Sequence, residues 1–236
     1  MKHPLTAEAD GRSARAQPDE TQQPHQSYLF EYRRQIRGLL AMIRAIVRRT
    51  ARREQSVEEY AALLEGRLGA LARVQDMLVR VPNAGADLLE LVSAEFLAQG
   101  VAEDRFTLTG GSVPLSAKVG ASLALALHEL TTNAIRFGAL GAALGHVFVS
   151  WRENDNDGFT RLEWRETGVS VLLTAPRANG FGMELLEKTL PHELRARTCV
   201  ELAAGGLTCV IDFRARIFMD QLQHNIEPVL TGKLPA

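Results

Sequence analysis

Apolar side chains recur at helical spacing in several stretches of the chain, separated by short alternating runs. In residues 28–54, Leu29, Ile36, Leu39, Leu40, Ile43, Ile46 and Val47 predict one long helix. Ser56-Val57-Glu58-Glu59 matches a capping box, with Ser56 capping a second helix and Glu59 reaching back. That helix continues through Tyr60, Leu63, Leu64, Leu68, Leu71, Val74, Met77 and Leu78 and stops before Pro82. Leu88, Leu89, Leu91, Val92, Phe96 and Leu97 predict a short amphipathic helix within 84–99. Leu123, Leu127, Leu130 and Ala134 form one apolar stripe in the segment 117–139, with Ser116 as its N-cap and Gly138 as its stop. A further helix is expected over 182–190. Alternating runs predict strands at Arg105–Thr109, His146–Trp151 and Thr160–Trp164, the last two joined by the turn-rich Asn154-Asp155-Asn156-Asp157-Gly158. Ala196–Leu202 and Leu207–Phe213 predict a final hairpin around Gly205-Gly206. Helices on one face of a mixed sheet make an α/β two-layer sandwich over 84–216.

The two helices of 28–81 read as an antiparallel hairpin with one broad apolar face. Two helices alone do not cover such a face. Pairing with a second copy as a four-helix bundle covers it, and packing on the chain's own sandwich is the alternative. Residues 1–27 are rich in Gln, Pro, Asp, Glu and Arg and have few apolar side chains, so they are expected to be disordered. Residues 217–236 read as a C-terminal tail of weak helical character.

Composition narrows the class. The chain has 236 residues and a formal net charge of −1, as expected of a soluble globular protein of one or two domains. No cationic start precedes an apolar run, so no signal peptide is expected. The longest apolar stretch, within 119–127, is too short for a membrane span. Two cysteines, Cys199 and Cys209, make no disulfide framework; they are read as buried small hydrophobes of a reduced, cytoplasmic protein. The first helix carries Arg33, Arg34, Arg37, Arg44, Arg48, Arg49, Arg52 and Arg53. Such a face is either solvated or a dock for an acidic partner, such as a receiver domain, or for nucleotide phosphates; nucleic acid is not expected, because no aromatics interleave the arginines. His3, His25, His192 and His224 read as surface or tail residues, and His146 has no visible partner in the sequence.

The helix 117–139 carries the candidate chemistry. Glu129 and Asn133 lie at i, i+4 and share one side of it. A carboxylate and a carboxamide there suit a water and a Mg²⁺ held through oxygen atoms. His128 is adjacent, and Arg136 follows Asn133. Downstream come Leu162-Glu163-Trp164-Arg165-Glu166-Thr167-Gly168 and then Asn179-Gly180-Phe181-Gly182-Met183-Glu184. This order of polar helix, acidic strand end with glycine, and Gly-x-Gly loop opening a helix resembles the GHKL-type ATP-binding domain of histidine kinases, gyrase, Hsp90 and MutL. More narrowly it is similar to the HWE family of sensor histidine kinases, with His128 as the named His and Trp164-x-Glu166 as the Trp-x-Glu. The resemblance covers about residues 28–215.

The resemblance implies ATP and Mg²⁺ as cofactors. Glu166 would accept the adenine amino group, in a bond to a charged acceptor worth roughly 1.5–3 kcal/mol, and Gly168 would let the backbone pass close to the ring. Asn133 would coordinate Mg²⁺, Glu129 would polarise the attacking group, and Gly180 and Gly182 would offer amides to the phosphates. Arg136 would add a phosphate contact. His128 either orients Glu129, touches the phosphates, or makes a structural hydrogen bond. Trp164 is read as packing behind the site.

The chain departs from the family at two places. Where the family carries a phosphoacceptor histidine, in a segment like Glu-Leu-x-His-Arg-Val-Lys-Asn, this chain has Glu31-Tyr32-Arg33-Arg34-Gln35-Ile36-Arg37-Gly38. Arg34 stands at the histidine and Gly38 at the asparagine. Val169-Ser170 replaces the usual Gly-Pro after Gly168. Three function classes stay open: an HWE-type relative that binds ATP without phosphorylating itself and regulates two-component partners such as a receiver domain or another kinase, an enzyme that transfers phosphate to a separate protein, and a nucleotide-free binding module.

Overall fold

Helix α1 covers Gln22–Thr50 and so begins ahead of position 28, where the apolar spacing starts. Residues 22–27, expected to be disordered, are its first turns. His25 therefore lies on the first helix, upstream of Arg34, although no histidine follows it there. The computed structural model describes residues 22–51, 56–80, 85–154, 157–169, 180–203 and 205–215. Readings on 1–21, on Arg52, Arg53, Ser170 and Asn179, and on the tail 217–236 with His224, lie outside the described residues. Two units divide the chain, residues 1–42 and residues 43–236. In the first unit, Arg33, Arg34 and Arg37 are exposed, as are Ile36 (39%) and Leu40 (52%).

In the second unit the capping box forms as the sequence dictates. The Ser56 hydroxyl accepts from the Glu59 N–H at 3.1 Å, and Glu59 accepts from the Ser56 N–H at 3.3 Å. Both satisfy backbone donors that a helix start leaves open. Helix α2 (Val57–Arg80) then buries Ala70, Leu71, Val74 and Met77, with Arg67 on the same stripe. Helix α3 (Leu88–Ala98) is capped by Asp87, whose carboxylate accepts from the Leu89 and Glu90 N–H groups. It buries Leu88, Leu91, Val92 and Phe96 and leaves Leu89 and Leu97 exposed.

Two short strands that the alternation did not reveal, β1 (Ala86–Asp87) and β3 (Pro114–Leu115), pair antiparallel around α3. The main sheet has five strands: β2 (Phe106–Thr109), β4 (His146–Asn154), β5 (Phe159–Thr167), β6 (Arg197–Ala203) and β7 (Gly206–Phe213), in the order β2-β4-β5-β7-β6. Among the described strands of this sheet only β2 and β4 run parallel; β4–β5 and β6–β7 are antiparallel hairpins, and β5 and β7 pair antiparallel across the intervening helical segment and β6. Because successive strand residues point to opposite faces, Val147, Val149, Trp151, Leu162, Trp164, Cys209, Ile211 and Phe213 are the buried set. Phe96 of α3 stacks on Phe106 (4.4 Å) and Trp164 (5.6 Å), joining the helix layer to the sheet. The expected mixed-sheet α/β sandwich is what forms, with helix α4 (Ala117–Phe137) its most buried element.

The helix expected over 182–190 extends further. It comprises α5 (Phe181–Glu184), a π turn at Leu185–Thr189 and α6 (Leu190–Leu194). Pro191 has no N–H to give the preceding turn, which is where the regular ladder loosens. Two readings change. His146 does find a partner: its Nε2 lies 2.9 Å from the Thr107 hydroxyl on the parallel neighbour strand. Of the cysteines only Cys209 is buried, and burial pushes its thiol up to about 12. Cys199 is exposed because it pairs in register with Val210, on the face opposite Cys209, and because β6 is an edge strand. Among the described residues no helix is long and apolar enough to cross a membrane.

Candidate functional site

Helix α4 sets the site. Ser116 caps it through its backbone, accepting from the Gly120 N–H at 2.8 Å, while its buried hydroxyl has no hydrogen-bond partner among the described residues. The stripe Leu123, Leu127, Leu130 and Ala134 is sealed, each at 1% exposure or less. That seal fixes the rotation of the helix and so the direction of its polar positions. His128 and Glu129 are buried, Asn133 is half-buried and Arg136 is exposed, 5.7 Å from the Phe137 ring centre.

Glu129 is held by a residue that the motif reading did not single out. Arg67 of α2 donates from Nε to Oε1 at 2.7 Å and from Nη2 to Oε2 at 3.2 Å. Its Nη1 donates to the Thr50 hydroxyl at 2.6 Å, and Thr50 donates to the Ile46 carbonyl at 2.7 Å. The guanidinium lies 3.9 Å from the ring centre of Phe181. Gly182 presses on Glu129 from the other side; a Cβ there would lie 3.0 Å from its Cβ and Oε2. The Gly-Phe-Gly loop and Glu129 are thus brought together, with Arg67 between helices and loop. The signal in the sequence was an arginine at i, i+3, i+4, i+7 spacing with Ala70, Leu71 and Val74, on a face that is otherwise apolar.

His128 turns toward α3. Its Nδ1 lies 2.9 Å from Glu95 Oε1 and 3.3 Å from the Gln99 amide, and Gly66 of α2 closes over Nε2. Of the three roles considered for His128, this contact is a structural hydrogen bond. Glu95 is buried and also paired with Arg73 of α2. Burial acts to raise its pKa, but His128 and Arg73 outweigh burial and hold it below the ordinary value.

The second centre lies at the end of β5. Glu166 Oε2 accepts from the Ala139 N–H at 2.9 Å, and Oε1 accepts from Trp164 Nε1 at 3.3 Å. Trp164 packs in the core as expected, and it also anchors the carboxylate two residues along the strand. Burial raises the Glu166 pKa, with the two hydrogen bonds opposing it. Glycines surround this group. A side chain at Gly138 would collide with Oε2, and one at Gly206 would approach the Glu166 Cβ to 2.7 Å. Gly168 has φ +78°, and a Cβ there would sit 2.5 Å from the Leu144 carbonyl. Val169 bridges to Gly205. Gly180 is the N-cap of α5.

A mixed five-stranded sheet backed by α3 and α4 is the fold of a histidine kinase catalytic domain. It superposes on the Erythrobacter litoralis blue-light activated histidine kinase with a TM-score of 0.58 at 17% identity, over 77% of this chain and 59% of that one. On that protein's histidine kinase domain alone the TM-score is 0.52, over 64% and 74%. Residues 31–112 match the family model for the HWE histidine kinase. The chain is 32% identical over 191 residues to the blue-light-activated histidine kinase of Brucella ovis, and 31% identical over 193 residues to that of Brucella anthropi. These alignments take in 79% and 80% of this chain, and the chain spans 38% and 39% of the length of those relatives. The chain belongs to the HWE histidine kinase family.

Proposed function

We propose that the protein is an HWE-type signalling protein that binds ATP with Mg²⁺ and does not phosphorylate itself. The observation that carries the nucleotide half is Glu166: a buried carboxylate in a glycine cradle where no side chain fits, with one partner on each oxygen. A carboxylate offers about four acceptor sites, so two remain for an amino group such as that of adenine. These residues fit the nucleotide. Gly168 would pass the backbone beside the ring, and Gly180 and Gly182 would offer N–H groups to the phosphates. Asn133, half-buried on the same side of α4 as Glu129, would hold Mg²⁺, and Arg136 would neutralise phosphate charge. Glu129 would accept a proton from the attacking group. ATP supplies the phosphoryl group and Mg²⁺ its charge neutralisation.

The silent half of the proposal rests on Arg34, which is exposed on α1. Its guanidinium cannot carry the phosphate that a histidine carries in relay. Wild-type protein incubated with radiolabelled ATP should carry no acid-labile phosphate, and His25→Ala should behave identically. Arg34→His should gain acid-labile label, with a stability change within about ±0.5 kcal/mol, as for other surface substitutions. Acid-labile label on the wild type would contradict the proposal, and its loss or survival in His25→Ala would tell whether His25 carries it.

The partners follow from the same region. Residues 28–81 form the dimerisation element, because Ile36 and Leu40 present apolar surface on α1. Light scattering should give twice the chain mass; a concentration-independent monomer mass would contradict this. The basic face of α1 receives a receiver domain or a second kinase, and the protein works in the cytoplasm.

A further inference from the structure

We infer that Arg67 is a positioning residue for Glu129, holding its carboxylate out of use until α2 lets go. The inference rests on the nucleotide reading above. The pair is bidentate: Nε and Nη2 of one planar group take both carboxylate oxygens, at 2.7 and 3.2 Å. A fork of this kind is shape-matched and strong. It takes one lone pair on each oxygen and fixes where the remaining ones point. A group of that kind serves as a base only when a lone pair faces the reacting atom at hydrogen-bond distance.

The geometry also says what would release it. Arg67, carried by α2, has two further contacts, each on a different element. Thr50, at the end of α1, takes Nη1, and Phe181, between the two glycines, stacks under the guanidinium. Nearby, Arg49 of α1 donates to the Thr189 hydroxyl at 2.6 Å and lies 3.8 Å from Glu184, just beyond the same loop. The end of α1, the middle of α2 and the start of α5 therefore meet at one carboxylate. A shift of α1 or α2, or a rearrangement of Gly180–Gly182, removes at least one of these contacts. An ion pair serving stability alone has no need to touch the loop through Phe181. Arg67 thus links the helical region to the group that the proposed reaction uses.

Arg67→Lys is the informative variant. A lysine keeps the charge but cannot span both oxygens and Thr50 together. Its affinity for ATP–Mg²⁺, read by calorimetry, should stay within about twofold of wild type, and its rate of ATP hydrolysis, in which water attacks the terminal phosphate and ADP leaves, should rise about tenfold, the loss of roughly one charge-assisted bond. Thr50→Val removes a single anchor, should raise the rate by a smaller factor, and serves if the lysine variant does not fold. A second readout does not depend on turnover. The Arg67 Nε–H resonance in nitrogen-edited NMR should be protected from solvent exchange in nucleotide-free protein and should stay protected with saturating ATP–Mg²⁺, since binding alone leaves α2 in place. Loss of that protection on nucleotide binding, or unchanged or slower release in both variants at unchanged affinity, would overturn the assignment of Arg67. Absence of any ATP binding by wild type would instead remove the nucleotide reading, and this inference with it.

Discussion

Arg67→Ala is expected to destabilise the fold by about 3–5 kcal/mol, the usual consequence of stripping one partner from a buried ion pair. Glu129 is only 8% exposed, and the alanine variant takes the guanidinium away from its buried charge and from the Thr50 hydroxyl. Since native domains are stable by only about 5–15 kcal/mol, such a loss leaves little reserve. Urea or thermal denaturation of the purified variant measures it. The double variant Arg67→Ala with Glu129→Ala should cost much less than the sum of the two single variants, because the orphaned charge is then gone. A cost below about 1 kcal/mol for Arg67→Ala alone would mean that water reaches Glu129 and that the pair behaves like a surface one.

The second large effect is on ligand affinity. Glu166→Gln keeps the shape of the side chain and removes its charge. It should weaken ATP binding at least tenfold, since a charged acceptor contributes roughly 1.5–3 kcal/mol and each 1.4 kcal/mol is tenfold. Stability should move the other way. Burial raises the Glu166 pKa, so folding favours its protonated form. The stability this gives is fully present below the unfolded carboxylate pKa and is lost as pH rises through the folded value. Above that folded value the wild type carries a buried charge that the glutamine variant lacks. The melting-temperature difference between them should accordingly narrow on acidification through the mildly acidic range, while ATP affinity of the wild type falls over the same range. Equal ATP affinity of the two proteins at neutral pH would remove Glu166 from the adenine site.

Much of this was legible in the sequence because it depends on local rules. The stripe of α4 predicted which residues are sealed, and the capping box at Ser56 and Glu59 formed both of its bonds. The order of the helix, the Trp-x-Glu strand and the Gly-x-Gly loop marked the family. The contacts that were not legible are long-range. Arg67 is far from Glu129 in the chain, and its role appears only when α2 docks on α4. The turn of His128 toward Glu95 depends on where α3 lies, and the anchoring of Glu166 by Trp164 depends on a strand end that brings both to one face. Cys199 was misread because the register that separates it from Cys209 comes from strand pairing, which composition does not encode. The early start of α1 was missed because Gln22–Ser27 offers no apolar repeat.

Everything proposed for the site requires a nucleotide. Calorimetric titration of ATP into purified protein with Mg²⁺, for wild type and Asn133→Ala, tests that most directly. The account predicts saturable heat for the wild type and its loss in the variant. No heat from the wild type, or equal binding by Asn133→Ala in Mg²⁺, would contradict it.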